Sequence, residues 1–166
     1  MSANLGISDK KIDRIAENLE GLLIDSYALM LKSQHYHWNV TGSNFGPLHQ
    51  LFEEHYDDLF EAVDEIAERI RILGRPVQGH LGHFAEKSRI ADGHASNANE
   101  MLSDLLESHE SIIRNLRESK SVAEEADDEV TVDLYVDRMS FHEKAAWFLR
   151  SHLQKEAALN GPNEAA

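Results

Sequence analysis

Apolar residues return every three or four positions over stretches of this chain too long for any common element except a helix. Ile12, Ile15, Leu19, Leu22, Leu29 and Met30 share one helical face, with Ser26 and Ser33 filling two steps of the same rhythm. Leu48, Leu51, Phe52, Leu59, Val63, Ile66, Ile70 and Leu73 repeat the pattern, and no alternating strand pattern or internal repeat accompanies it. There are only three prolines, Pro47, Pro76 and Pro162, and each stands at or beyond the edge of a periodic stretch, where a missing N–H breaks no ladder. Such a chain is confined to long amphipathic helices packed side by side.

Local signals set the boundaries. Ser8 is placed to cap a first helix that ends near His37, and Asn39-Val-Thr-Gly-Ser-Asn-Phe-Gly46 is turn chemistry. Pro47 suits the first position of a second helix, and Gly74-Arg75-Pro76 stops it. Residues 74–95 contain four glycines, one proline and three histidines, with room for a short helix around Phe84 to Ser88. Asn97 and Glu100 resemble a capping box opening a third helix that reaches about Ala123. After the acidic break Glu124–Glu129, a fourth helix passes through Leu134, Phe141, Ala145 and Phe148 to about Leu159, leaving a short tail. Helices of about 25 to 31 residues are about 38 to 46 Å long, the dimensions of an all-α four-helix bundle. The long connection between the second and third helices can cross the bundle, giving an up-down-down-up order. Residues 1–166 form one domain, with the bundle over about 8–157.

Composition excludes several chemistries. With no cysteine, disulfide scaffolds, thiolate metal sites and cysteine nucleophiles are out of reach, so a metal must be held by His, Asp, Glu or backbone. Thirty acidic residues against sixteen basic ones give a net charge of −14, which favours cations over nucleic acid or anionic membrane. The longest apolar stretch, Leu22 to Leu31, is interrupted by Asp25 and too short to span a bilayer. The N-terminus lacks the basic-then-apolar layout of a secretory leader, so the expected location is cytoplasmic.

The second helix carries the most informative residues. His49 and Glu53 are four apart, as are Asp64 and Glu68, so each pair occupies one face. Glu53 and Asp64 share nearly the same azimuth but lie about 16 Å apart along the axis, too far for one ion to touch both pairs. Two copies of the helix packed antiparallel about a two-fold axis would set His49 and Glu53 of one chain beside Asp64 and Glu68 of the other, making two sites about 22 Å apart. Residues 53–68 contain eight acids, and on spacing alone a solvated acidic face is the plainer reading. No histidine has a glutamate three residues before it, so a di-iron centre of the Glu-x-x-His type inside one bundle is not expected.

The run His37-Trp-Asn-Val-Thr-Gly-Ser-Asn-Phe45, with Leu48-His49, Phe52-Glu53 and Asp64-Glu-Ile-Ala-Glu-Arg69, resembles the signature of the Dps family, the mini-ferritins. Asp133-Leu-Tyr and Trp147-Phe-Leu are similar to the family's last helix, and the likeness extends over about residues 8–157. The resemblance implies a ferritin-like four-helix subunit of a hollow dodecamer. Such a shell binds Fe(II), oxidises it preferentially with hydrogen peroxide and stores Fe(III) inside. Carried over residue by residue, it implies ferroxidase ligands at His37, His49 and Glu53 of one subunit and Asp64 and Glu68 of its two-fold partner; the donor types themselves also suit zinc, an expected competitor. The family often has Asp where this chain has Glu53, which leaves the second iron position less defined. Trp38 is implied as an auxiliary redox residue or, equally, as an aromatic at the subunit junction.

The same resemblance places Asp127, Asp128, Asp133 and Asp137 near an iron-admitting pore at the three-fold axis. The plainer alternative for Asp127 and Asp128 is complementing a helix N-terminus, each contributing about 0.3–1 kcal/mol. His80 and His83 form a His-x-x-His pair in a loop, more in keeping with surface than with a ligand role, and His109 is expected to be a satisfied core residue. DNA compaction is the alternative function. Residues 1–7 carry no side-chain charge and the last seven residues carry only Glu164. Twelve subunits at −14 each total about −170, so no appreciable DNA binding is expected near neutral pH.

Overall fold

The computed structural model describes residues 4–153, and among them the only regular elements are helices: α1 (Asp9–Asn39), α2 (Phe45–Ile72), α3 (Leu81–Lys87), α4 (Ala98–Glu124) and α5 (Glu129–Leu153). Their ends follow local chemistry. Ser8 is the residue before α1 but caps through its backbone, its carbonyl accepting from the N–H of Lys11 and Ile12 at 3.0 Å. Gly74 stops α2 with φ +80°, a left-handed conformation that costs glycine little. At α4, Asn97 Oδ1 accepts from the Glu100 N–H at 3.1 Å. The reciprocal bond goes one residue further back than a capping box requires: the Glu100 carboxylate accepts from the Ser96 N–H at 2.9 Å. α2 begins two residues ahead of Pro47, and α3 lies slightly earlier than the helix expected at 84–88. The expected end of the last helix near Leu159 falls outside the described residues.

Polar pairs along the bundle give the direction of each helix. Arg75, just past α2, reaches Asp13 near the start of α1 at 2.6 Å, while His37 meets His49 at the other end, so α1 and α2 are antiparallel. Lys32–Asp104 at 2.7 Å and Arg14–Glu125 at 3.4 Å set α4 antiparallel to α1. Arg117–Glu143 and Arg150–Glu110, both at 2.6 Å, set α5 antiparallel to α4. The order is therefore up-down-down-up, with residues 73–97 and α3 forming the crossover.

The apolar stripes meet in one core that includes Leu19, Leu29, Phe52, Leu59, Ile66 and Leu105. Burying each such side chain contributes about 1.5–3 kcal/mol. The crossover is pinned by Asp25, the residue that interrupts the apolar stretch in α1. Its buried carboxylate accepts from the Arg89 backbone N–H at 2.9 Å and from the guanidinium at 2.8 and 2.6 Å. Further along, a Cβ on Gly93 would stand 2.7 Å from the Tyr36 hydroxyl, so only glycine lets the connection pass that ring. Tyr36 donates to Asp104, which also receives Lys32.

Candidate metal centre

His37 sits in the last turn of α1 and His49 in the second turn of α2, and the short loop between them folds one ring onto the other. The rings stack at 3.7 Å with a 19° interplanar angle. His37 Nδ1 lies 2.8 Å from the His49 carbonyl oxygen, and His49 Nδ1 lies 2.8 Å from the His37 carbonyl oxygen. A carbonyl can only accept, so both rings donate from Nδ1, and each neutral ring keeps its lone pair on Nε2. Two imidazole nitrogens are thereby fixed in tautomer and direction, as outer hydrogen bonds fix them in histidine metal sites. Tyr56 packs edge-on against His37 at 5.3 Å, and Phe45 lies 5.0 Å from His49.

Glu53 follows one turn after His49, exposed, its carboxylate 3.5 Å from the Tyr56 hydroxyl. Asp64 and Glu68 are exposed near the other end of α2. Beside Asp64 runs an open groove of about 870 Å³ whose lining includes Leu23, Tyr27, Phe60, Val63 and Phe84. Among the described residues, no three His, Asp or Glu side chains of one chain are arranged to hold a metal. One chain thus presents two separate half-sets, imidazoles with a carboxylate at one end of α2 and two carboxylates at the other. Trp38, beside His37, is well exposed on the single subunit.

Other sequence-based expectations are redistributed. Asp128 cannot face a pore: it is buried, and Arg69 grips both carboxylate oxygens at 2.7 and 2.8 Å while the Thr131 hydroxyl donates at 2.6 Å. Burial alone would raise its pKa, but the bonds from Thr131 and Arg69 outweigh it and hold the carboxyl below its usual range. Asp127, Asp133 and Asp137 remain exposed. His83 Nε2 meets Glu20 at 3.1 Å, while His80 is exposed just before α3. His109 is buried as expected but not satisfied, since its Nε2 has no partner. Reading the helical stripes passed over its neighbours His55 and His142, although His142 lies one helical turn before the core residue Ala146.

A family model for the ferritin-like domain matches residues 16–159. The DNA protection during starvation protein of Porphyromonas gingivalis is 32% identical over 151 residues, covering 90% of this chain and 95% of its own. The chain belongs to the Dps family of ferritin-like proteins. Among its relatives, an uncharacterized low temperature-induced protein of Nostoc is 38% identical over 154 residues, 91% of this chain and 86% of the other. The crystal structure of the Dps protein of Vibrio cholerae O1, described as a member of a broad superfamily of ferritin-like diiron-carboxylate proteins, superposes with a TM-score of 0.87 at 28% identity. That match covers 93% of this chain and 98% of the other. Within this Dps subunit, the His37–His49 clasp joins the two helices that the family signature spans.

Proposed function

We propose that this Dps protein is a mini-ferritin ferroxidase of the cytoplasm. Fe(II), its substrate, binds between two-fold-related subunits, held by His37, His49 and Glu53 of one and Asp64 and Glu68 of the other. The ferric product is kept inside a hollow dodecameric shell. The observation that carries this reading is the reciprocal His37–His49 clasp, which leaves two Nε2 lone pairs free of backbone bonds while Asp64 and Glu68, which would complete the ligand set, stand far along the same helix.

The ligand chemistry favours oxidation. Hard carboxylate oxygens of Asp64 and Glu68 stabilise Fe(III) over Fe(II), while the imidazoles add neutral donors. Two Fe(II) ions each give one electron to hydrogen peroxide, which takes two protons and leaves as two waters. Paired delivery avoids the one-electron step that releases hydroxyl radical. Trp38 would intercept stray oxidising equivalents, and Asp127, Asp133 and Asp137 are the carboxylates available to attract iron to a three-fold pore. Zinc competes for the same nitrogen and oxygen donors, since such sites discriminate by geometry and supply. The name of the Porphyromonas relative invites DNA protection by direct binding, but a charge of −14 per subunit opposes it.

The test is anaerobic loading of metal-free protein with Fe(II), followed by about one peroxide per two irons. Rapid growth of ferric absorbance that Asp64→Asn/Glu68→Gln abolishes, with soluble iron eluting at shell size, is the expected result. Oxidation no faster than in that variant overturns the proposal. Mixed shells of Asp64→Asn and His49→Ala subunits should regain a fraction of the activity each lacks alone. No recovery despite demonstrated subunit exchange would reject the shared site.

A further inference from the structure

The centre of the bundle holds a polar cluster that iron oxidation does not use. His55 on α2, His109 on α4 and His142 on α5 are all buried, the last two completely. The His55 and His109 rings are 5.0 Å apart, as are those of His109 and His142. His109 Nδ1 and His142 Nδ1 approach to 2.9 Å, one neutral ring donating to the other. His109 Nε2, His142 Nε2 and His55 Nδ1 have no partner. An unpaired buried polar group is costly to the fold, and apolar side chains of similar size would avoid the cost. Burial is the chief cause that depresses the pKa values of His109 and His142, to about 3 for His142 and well below the ordinary value for His109. At neutral pH these two rings are therefore uncharged, and each offers a lone pair.

The charge of the surroundings selects the guest. The paired donors His109 and His142 are neutral, and the charged group acting most on His142 is the cationic Arg138, which lies over the Phe141 ring at 5.1 Å and pairs with Asp58 at 2.7 Å. A divalent ion would bring two uncompensated charges into an apolar core, whereas a monovalent d10 ion brings one and accepts two or three nitrogen ligands. We propose that His109 and His142, with His55 as third donor, form a site inside each subunit for a monovalent cation of the cuprous type, separate from the shared iron site.

The binding step follows from the geometry. The three donors do not yet surround one point, so the site grows from the existing Nδ1–Nδ1 contact at 2.9 Å. Metal–imidazole bonds of about 2 Å require the two nitrogens to part by about 1 Å for linear coordination, and less when His55 turns in to make it trigonal. The ring that donated its Nδ1 proton carries it on Nε2 instead, so both Nδ1 lone pairs reach the ion and no proton leaves the protein.

The assembled, metal-free protein is titrated with Cu(I) under anaerobic conditions against a coloured cuprous chelator. The expected result is one Cu(I) bound per subunit, a raised Tm, and an X-ray absorption spectrum showing two or three imidazole nitrogens and no carboxylate oxygen. A His109→Leu/His142→Leu variant should remain folded, because it replaces unpaired polar groups by apolar ones, and should lose both the bound copper and the Tm shift. A His37→Ala/His49→Ala variant, which disables the iron site, should keep both. The proposal fails if copper binding survives the leucine replacements, vanishes in the His37/His49 variant, or is matched in that variant by Zn(II) at the same stoichiometry. It also fails if wild-type protein binds no copper. Should the leucine variant not fold, the wild-type spectrum together with the His37/His49 variant decides, and carboxylate oxygens around the ion would overturn it.

Discussion

At the level of single side chains, the acidic and histidine residues of this protein divide into those open to solvent and those enclosed by the fold. Arg69 and Asp128 illustrate the second group, and removing one partner exposes the cost of the other. Arg69→Ala should destabilise the subunit by about 3 kcal/mol, because Asp128 would remain buried and unpaired. Chemical denaturation of wild type and variant checks this. Asp128 has a lowered folded pKa, so its contribution is present above the unfolded value of about 4 and disappears as pH falls through the folded value. The buried histidines act in the same direction at higher pH. Unfolded histidine takes up a proton below about 6.5, while folded His142 resists until about 3. Stability should therefore fall as pH drops from about 6.5, by up to about 1.4 kcal/mol per pH unit for each such histidine. In His109→Leu/His142→Leu the fall of Tm between pH 6.5 and 4.5 should be visibly shallower. Sequence spacing singled out His49, Glu53, Asp64 and Glu68 as candidates because residues four apart share one helical face. It missed the partners of His109, because His55 and His142 lie far away in sequence and meet it only when three helices close.

At the scale of elements, the helices were legible wherever one local rule sufficed. The stripes of α1 and α2, Gly74 as a stop and Asn97 as a cap all emerge as expected. Asn97→Ala should cost about 1 kcal/mol and speed amide exchange in the first turn of α4, measurable by mass spectrometry. The crossover was less legible, because what organises it is tertiary. Asp25 reads in sequence as a flaw in an apolar run, yet from the middle of α1 its carboxylate anchors Arg89 in the connection. Arg89→Ala should leave Asp25 buried with one backbone N–H partner and loosen residues 73–97, seen as earlier proteolytic cleavage there while the bundle helices stay intact. Even the capping of α4 shows the limit of local rules, since Glu100 reaches Ser96 instead of closing the reciprocal bond to Asn97.

The whole molecule presents apolar side chains that a single subunit leaves uncovered, among them Trp38, Phe60, Leu81 and Trp147. Phe60 projects beside the groove that contains Asp64, where the proposed two-fold partner would pack. Phe60→Asp should shift the protein toward smaller species in light scattering, and ferroxidase activity should fall in step although every proposed ligand is intact. An assembled Phe60→Asp shell with full activity would contradict that placement of the interface. Helical periodicity could announce these surfaces as apolar but not what covers them, since the same stripe serves a core or a contact. The division of the proposed donors between the two ends of α2, with no complete set among the described residues of one chain, bears on timing. A newly made subunit is chemically inert toward iron under the proposed mechanism, and competence arrives only with the walls of the container. Assembly then works as a safety catch: oxidation cannot start before there is an enclosed space to receive the rust.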